Sequence, residues 1–121
     1  MRVLNIRWIG VPTARYEAMA AFVRDVLGLA VNFEEPATAE FSTVDGDRVQ
    51  IMAPAHPYFD FFRRYARGPV PLFEVDDLTE AQRALGAARV AVIGSPEHDR
   101  EWEWIHVRAP DGNLYELAAR R

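Results

Sequence analysis

The feature that most constrains this chain is a repeat with a period of 66 residues. Thr13 and Thr79 stand 66 positions apart, each just past a strand-like run and at the start of a helix-like one. Asp45-Gly46 and Asp111-Gly112 have the same separation, and the fifth residue after each aspartate is a strand residue, Gln50 in the first copy and Glu116 in the second. A supersecondary unit present twice must bury its apolar faces within one shared structure. At 121 residues the chain is long enough to close a single core around both copies.

Each copy reads β-α-β-β-β. In the first, residues 3–11 are rich in β-formers and Thr13 suits a helix N-cap. Tyr16, Met19, Ala20, Val23, Val26 and Leu27 then fall on one apolar stripe, and Gly28 supplies a left-handed stop. Strand-like segments follow at 29–34, 40–44 and 48–52, the last two joined by Asp45-Gly46-Asp47. The second copy opens with a strand at 70–75 and a helix to Gly86, framed by Asp77 and Glu80 as a capping box. A strand at 89–93, a polar loop at 95–100 and a hairpin turning at Ala109-Pro110-Asp111-Gly112 complete it. The organisation expected is module one at 1–54, a linker helix at 55–69 and module two at 70–121. In the linker, Tyr58, Phe61, Phe62 and Tyr65 recur at helical spacing, with Arg63, Arg64 and Arg67 opposite. That stripe can dock on the core, cover a ligand as a lid, or form a dimer contact; arginines beside aromatics also suit an acidic ligand.

Composition removes several function classes. There is no cysteine, so disulfides, thiolate metal sites and cysteine nucleophiles are excluded. A net charge of −4, with all 14 basic residues arginine, argues against nucleic acid as a partner. No apolar run approaches the roughly 18 residues of a membrane helix, and the first residues lack a signal-peptide layout. The expectation is a cytoplasmic protein with no membrane partner. The arginine-only, alanine-rich composition suits a GC-rich, bacterial genome. Nucleophile-elbow, Walker, dinucleotide-glycine and H-E-x-x-H motifs are all missing.

The two modules, with Phe22-Val23-Arg24-Asp25-Val26-Leu27-Gly28-Leu29 closing the first helix and Pro110-Asp111-Gly112-Asn113-Leu114-Tyr115-Glu116-Leu117 in the last hairpin, resemble the vicinal oxygen chelate superfamily of glyoxalases, bleomycin-resistance proteins and extradiol dioxygenases. The resemblance implies an α+β fold in which two tandem modules form a curved mixed sheet around a cavity, commonly in a homodimer. It also implies a divalent metal held from equivalent strand positions. Those positions fall here on Trp8, Gln50, Val70 and Glu116, and a shift of one residue substitutes Arg7 and Pro71. Such a metal needs at least three oxygen or nitrogen donors. Tryptophan and valine cannot serve and glutamine is a weak donor, so no metal or other cofactor is expected. The alternative is a metal on Glu116 with Glu74 and His106.

Strand alternation divides the hairpin into two faces. Ile105, Val107, Tyr115 and Leu117 suit packing under helices. Trp102, Trp104, His106, Arg108, Leu114 and Glu116 face the concave side, as do Trp8, Gln50 and Glu74. Trp8, Gln50, Glu74, Trp102, Trp104, His106, Arg108 and Glu116 are therefore the candidate ligand-binding set, an aromatic pocket with a few polar groups. Each has a plainer alternative: Glu116 as an edge carboxylate or one held by Arg108, His106 as a satisfied structural histidine, the tryptophans as packing. His56, His98 and the charge run at 97–103 read as solvated. Three functions are compatible with this set. The first is a small-molecule-binding protein similar to bleomycin-resistance proteins, taking an aromatic or cationic compound. The second is a lyase, isomerase or thiol transferase, using an unusual metal set or His106 and Glu116 as acid and base. The third is a non-catalytic interaction domain whose aromatic linker docks a partner.

Overall fold

Short β-rich segments separated by turn residues build the frame. The computed structural model describes residues 1–121 and runs β1 (Val3–Pro12), α1 (Tyr16–Ala21), β2 (Ala30–Glu34), β3 (Thr38–Ser42), β4 (Arg48–Met52), α2 (Phe59–Tyr65), β5 (Val70–Val75), α3 (Leu78–Ala87), β6 (Val92–His98), β7 (Trp102–Arg108) and β8 (Leu114–Arg120). All eight strands join in one sheet of order β2-β3-β4-β1-β5-β8-β7-β6. Within each copy the first strand lies parallel to the last, β1 on β4 and β5 on β8, and the copies meet where β1 runs antiparallel to β5. The repeat in sequence is thus a repeat in topology, with its pseudo-twofold at the β1–β5 seam. The architecture is the curved, mixed α+β sheet that the resemblance implies.

The two sheet faces are treated differently, as the alternation requires. On one face, Leu78, Ala81 and Leu85 of α3 pack over Val75, Ile105, Val107 and Leu117. On the same face of the first copy, Ala20 and Val23 cover Ala39, Phe41 and Ile51. The opposite, concave face carries a smaller cluster of Met52, Phe62, Val70 and Leu114. There the aromatic stripe of the linker turns inward: Phe62 is 1% exposed, and Tyr58, Phe61 and Tyr65 are half-buried against the cluster. Burying a phenylalanine of this kind contributes roughly 2–3 kcal/mol, enough to decide which way so short a helix faces.

Local departures have local causes. Thr13 does not cap α1; the N-cap is Arg15, and the Thr13 hydroxyl instead accepts the Arg15 N–H at 3.0 Å in a tight turn. The helix then widens into a π-helical turn at Phe22–Val26, with the Leu27 N–H donating to the Phe22 carbonyl. Asp77 does cap α3, accepting from the Glu80 N–H at 3.0 Å, while the Glu80 carboxylate turns to Arg83. β3 starts at Thr38, whose buried hydroxyl donates to the Ile51 carbonyl at 3.0 Å. β6 runs through the segment expected to be a polar loop, tolerating Pro96 because it is an edge strand and skipping register between Ile93 and Glu97. No helix is long and apolar enough to cross a membrane.

Candidate functional site

The inward-facing linker fills one end of the concave face, and what remains open is a cavity of about 300 Å³. Trp8, Gln50, Trp102, Trp104 and Glu116, all anticipated from strand parity, line it. At its centre Trp8 lies down along its own strand. A methyl group built on Gly10, two residues on and on the same face, would meet the Trp8 Cη2 at 2.1 Å. Only the missing side chain of Gly10 gives the indole that space. Gly10 pairs with Gln50 on β4, so the indole Nε1–H reaches Gln50 Oε1 at 3.1 Å; Gln50 Nε2 in turn donates to Thr38 Oγ1 at 2.9 Å. The chain Trp8–Gln50–Thr38–Ile51 locks both the ring and the amide.

Glu116 and His106 oppose each other across β8 and β7. His106 Nε2 lies 2.8 Å from Glu116 Oε1. The histidine is 2% exposed, with the Phe61 ring at 4.7 Å edge-on and the Tyr58 and Phe62 rings at 6.1 and 6.0 Å. Glu116 lines the cavity and His106 does not. The aromatic end of the linker roofs His106, and the imidazole orients the carboxylate from behind. The partner of Glu116 is therefore His106, not Arg108. Arg108 itself is exposed, 5.7 Å from the Tyr65 ring centre and outside the cavity.

Glu74 also departs from expectation. It lies on the concave face but is taken up by Arg7 Nε at 2.9 Å and Asn5 Nδ2 at 2.8 Å, and it does not line the cavity. Burial works against its ionisation, yet the hydrogen bonds from Arg7 and Asn5 override this and hold the carboxyl below its ordinary range. Arg7 reaches the cavity through a bulge: Ile6 pairs with Phe73 and Trp8 with Leu72, leaving Arg7 as an extra residue on β1. The strands flanking β5 place Leu72 and Val70 differently. Leu72 lies opposite both Trp8 and Glu116 and lines the cavity, whereas Val70 belongs to the apolar cluster under the linker.

The centre of the cup thus presents an indole, an amide, an aliphatic chain and one carboxylate. These do not fit a divalent metal, which needs three or more good donors. The alternative set fails as well, since Glu74 is held by Arg7; no three His, Asp or Glu side chains converge on a possible metal position.

The supports around the cavity were hidden in sequence. Glu97, expected to be solvated, accepts from Tyr58 Oη–H and from Trp104 Nε1–H, the latter at 3.0 Å, which ties the linker to β6 and β7. Burial and this carboxylate raise the Tyr58 pKa beyond its usual range. His56 also lines the cavity; its Nδ1 accepts the Tyr58 N–H at 3.1 Å, and burial lowers its pKa. His98 is exposed, as anticipated. The Arg120 guanidinium sits 4.6 Å from the Trp102 ring centre, covering one face of that indole.

With known proteins, residues 5–117 match the family model described as Glyoxalase/Bleomycin resistance protein/Dioxygenase superfamily. Three similar solved structures illustrate the fold. One is a glyoxalase/bleomycin resistance protein/dioxygenase superfamily member from Vibrio splendidus 12B01, 19% identical over 99% of this chain and 98% of that one, TM-score 0.68. Another is methylmalonyl-CoA epimerase from Mycobacterium tuberculosis, 20% identical over 98% of this chain and 89% of that one, TM-score 0.74. The third is the Mn(II)-bound glyoxalase from Novosphingobium aromaticivorans, 24% identical over 98% of this chain and 39% of that one, TM-score 0.71. At such identities the likeness is one of fold. No curated protein matches the chain.

Proposed function

The chain belongs to the glyoxalase/bleomycin resistance protein/dioxygenase superfamily, and from that premise we propose that it is a metal-free small-molecule-binding protein, similar in role to bleomycin-resistance proteins, that takes a planar aromatic compound into its cup by stacking. The observation that carries the reading is the Trp8 indole nested over Gly10, which makes the centre of the cup an aromatic surface. Trp102, Trp104, Tyr58 and Phe62 extend that surface around the walls. Favourably placed aromatic pairs add about 1 kcal/mol each beyond the burial of area, so several rings suffice for a useful affinity. Selectivity falls to the polar lining, with Gln50 and Glu116 at its centre and Glu40, Arg48 and Asp99 further out. A buried carboxylate only accepts hydrogen bonds, which favours a ligand with an N–H or O–H donor or a positive charge at that point.

The test is a small-molecule library read by thermal shift, followed by tryptophan fluorescence with the compounds that raise the melting temperature. A ligand in the cup must quench or shift the fluorescence, and Trp104→Ala must weaken its binding. A stabilising ligand that binds the variant equally well would remove the cup as the site.

A second reading, proton transfer from a bound substrate to Glu116, is favoured by one observation: the carboxylate lines the cavity with His106 placed 2.8 Å behind it. Here Glu116→Gln separates the two. Under the binding reading the parent protein turns nothing over and the variant, its charge gone, takes up ligand more weakly; under the catalytic one, the parent turns substrate over, and in the variant turnover disappears while the fluorescence response survives.

A further inference from the structure

Outside the cup, a second cavity of about 380 Å³ lies between the end of β1 and the segment that follows α2. Arg63 and Arg67 line it beside Val11, Pro12, Phe62 and Gly68, and no carboxylate does. Neither arginine belongs to an ion pair, in contrast to Arg7, Arg24, Arg48, Arg83 and Arg120, each of which has a carboxylate within 4 Å. Arg64 and Arg108 are unpaired too, and both lie within 6 Å of the Tyr65 ring centre. In a chain with 18 acidic residues against 14 arginines, four guanidiniums around one short helix and its docking partner, against the single carboxylate of that helix, Asp60, are a concentration of positive potential that the average charge conceals.

The wall of this cavity is fixed. Asn113 Oδ1 accepts the Arg67 N–H at 2.7 Å, and Asn113 Nδ2 donates to the Pro69 carbonyl at 3.2 Å, pinning the segment to the closing hairpin. Gly112, at φ +84°, leaves room for the Arg67 guanidinium against the turn: its Nε lies 3.0 Å from where a side chain would begin. Between these anchors the Gly68 N–H has no acceptor in the protein.

We propose that this second cavity is a binding site for a phosphoryl group, held by the Arg63 and Arg67 guanidiniums and the Gly68 N–H. Guanidinium forks match tetrahedral oxyanions in geometry as well as charge, and an unpaired backbone N–H completes such sites elsewhere. The site does not depend on what the cup binds, because the Phe62 ring stands between the two cavities and borders both. The phosphoryl group can come from free phosphate or from a phosphate monoester.

Titrating ¹⁵N-labelled protein at constant ionic strength, in one arm with inorganic phosphate and in the other with phenyl phosphate, tests this by NMR. Saturable shifts are expected at the Gly68 amide and the Arg63 and Arg67 Nε–H signals, while Arg7 and Arg48 in the cup stay still. Tighter binding of the ester would identify a phosphorylated molecule as the natural occupant, and equal or tighter binding of phosphate the free anion. Arg63→Gln should weaken binding tenfold or more, as the loss of one charge-assisted contact implies; Arg64→Gln, outside the cavity, should not. Non-saturating shifts spread over all exposed arginines, or unchanged affinity in Arg63→Gln with its fold intact, would overturn the proposal.

Discussion

Trp8 and Gly10 work as a unit: a large ring is laid flat on its own strand because the residue two positions on has no side chain. A methyl group at Gly10 would come within 2.1 Å of the ring, so Gly10→Ala must swing the indole away and break its bond to Gln50. The expected cost is about 1–3 kcal/mol for overpacking, with a red-shifted tryptophan emission as Trp8 meets water; unchanged emission and stability would remove Trp8 from the centre of the cup. Strand alternation placed Trp8, Gln50, Trp104 and Glu116 correctly, since a two-residue period survives wherever strands are regular. It could not place Arg7, because the bulge after Ile6 shifts the register by a residue and nothing in the local residue types announces it. Leu72 shares the parity of Val70 and Glu74, and is passed over only because the resemblance sets the central position at Val70. His106 shows a different limit. Its face was legible, but whether it met ligand or protein depended on where the linker helix docked.

At the scale of elements, that linker decides the shape of the site. α2 has seven residues, too few to be stable alone, and is held by its aromatic stripe and by the Tyr58–Glu97–Trp104 bonds. Removing the Tyr58 hydroxyl in Tyr58→Phe should cost about 1 kcal/mol and loosen the wall formed by Trp104. The pKa of Tyr58 is raised in the folded state, so its contribution is complete below the ordinary tyrosine value of 10.0 and is lost as pH rises beyond it. Alkaline unfolding curves should therefore be flatter in Tyr58→Phe than in the parent protein, and identical pH dependence would show that the bond does not hold the linker. The spacing of the stripe announced the helix. The strand expected at 89–93 is instead Val92–His98, because Ser95 and Pro96 read as a loop, and an edge strand with a register skip accepts both.

Over the whole molecule, the two copies are joined at the β1–β5 seam, and Glu74 is the polar fastening there, bound to Asn5 and Arg7 across it. Its pKa is lowered on folding, so the stability it supplies is present above its unfolded value of 4.5 and disappears as pH falls through the folded one. Glu74→Gln should lower stability at neutral pH and lose less on acidification than the parent; parallel acid-unfolding curves would exclude the seam as an acid-sensitive point. Val3, Leu4, Ile6 and Ile9 of β1 and Phe22, Val26 and Leu27 at the π-helical turn remain exposed, apolar side chains that a second copy would cover. The expected homodimer should appear by sedimentation velocity, and a purely monomeric boundary at micromolar concentration would contradict it.

Residue, element and seam converge on the centre of the cup, where Trp8, Gln50, Leu72 and Glu116 stand together. The direct test is the divalent-metal content of the purified protein after dialysis against buffer with each candidate metal. Far less than one zinc, nickel or manganese per chain is expected. One tightly held metal per chain, lost on Glu116→Ala, would contradict it.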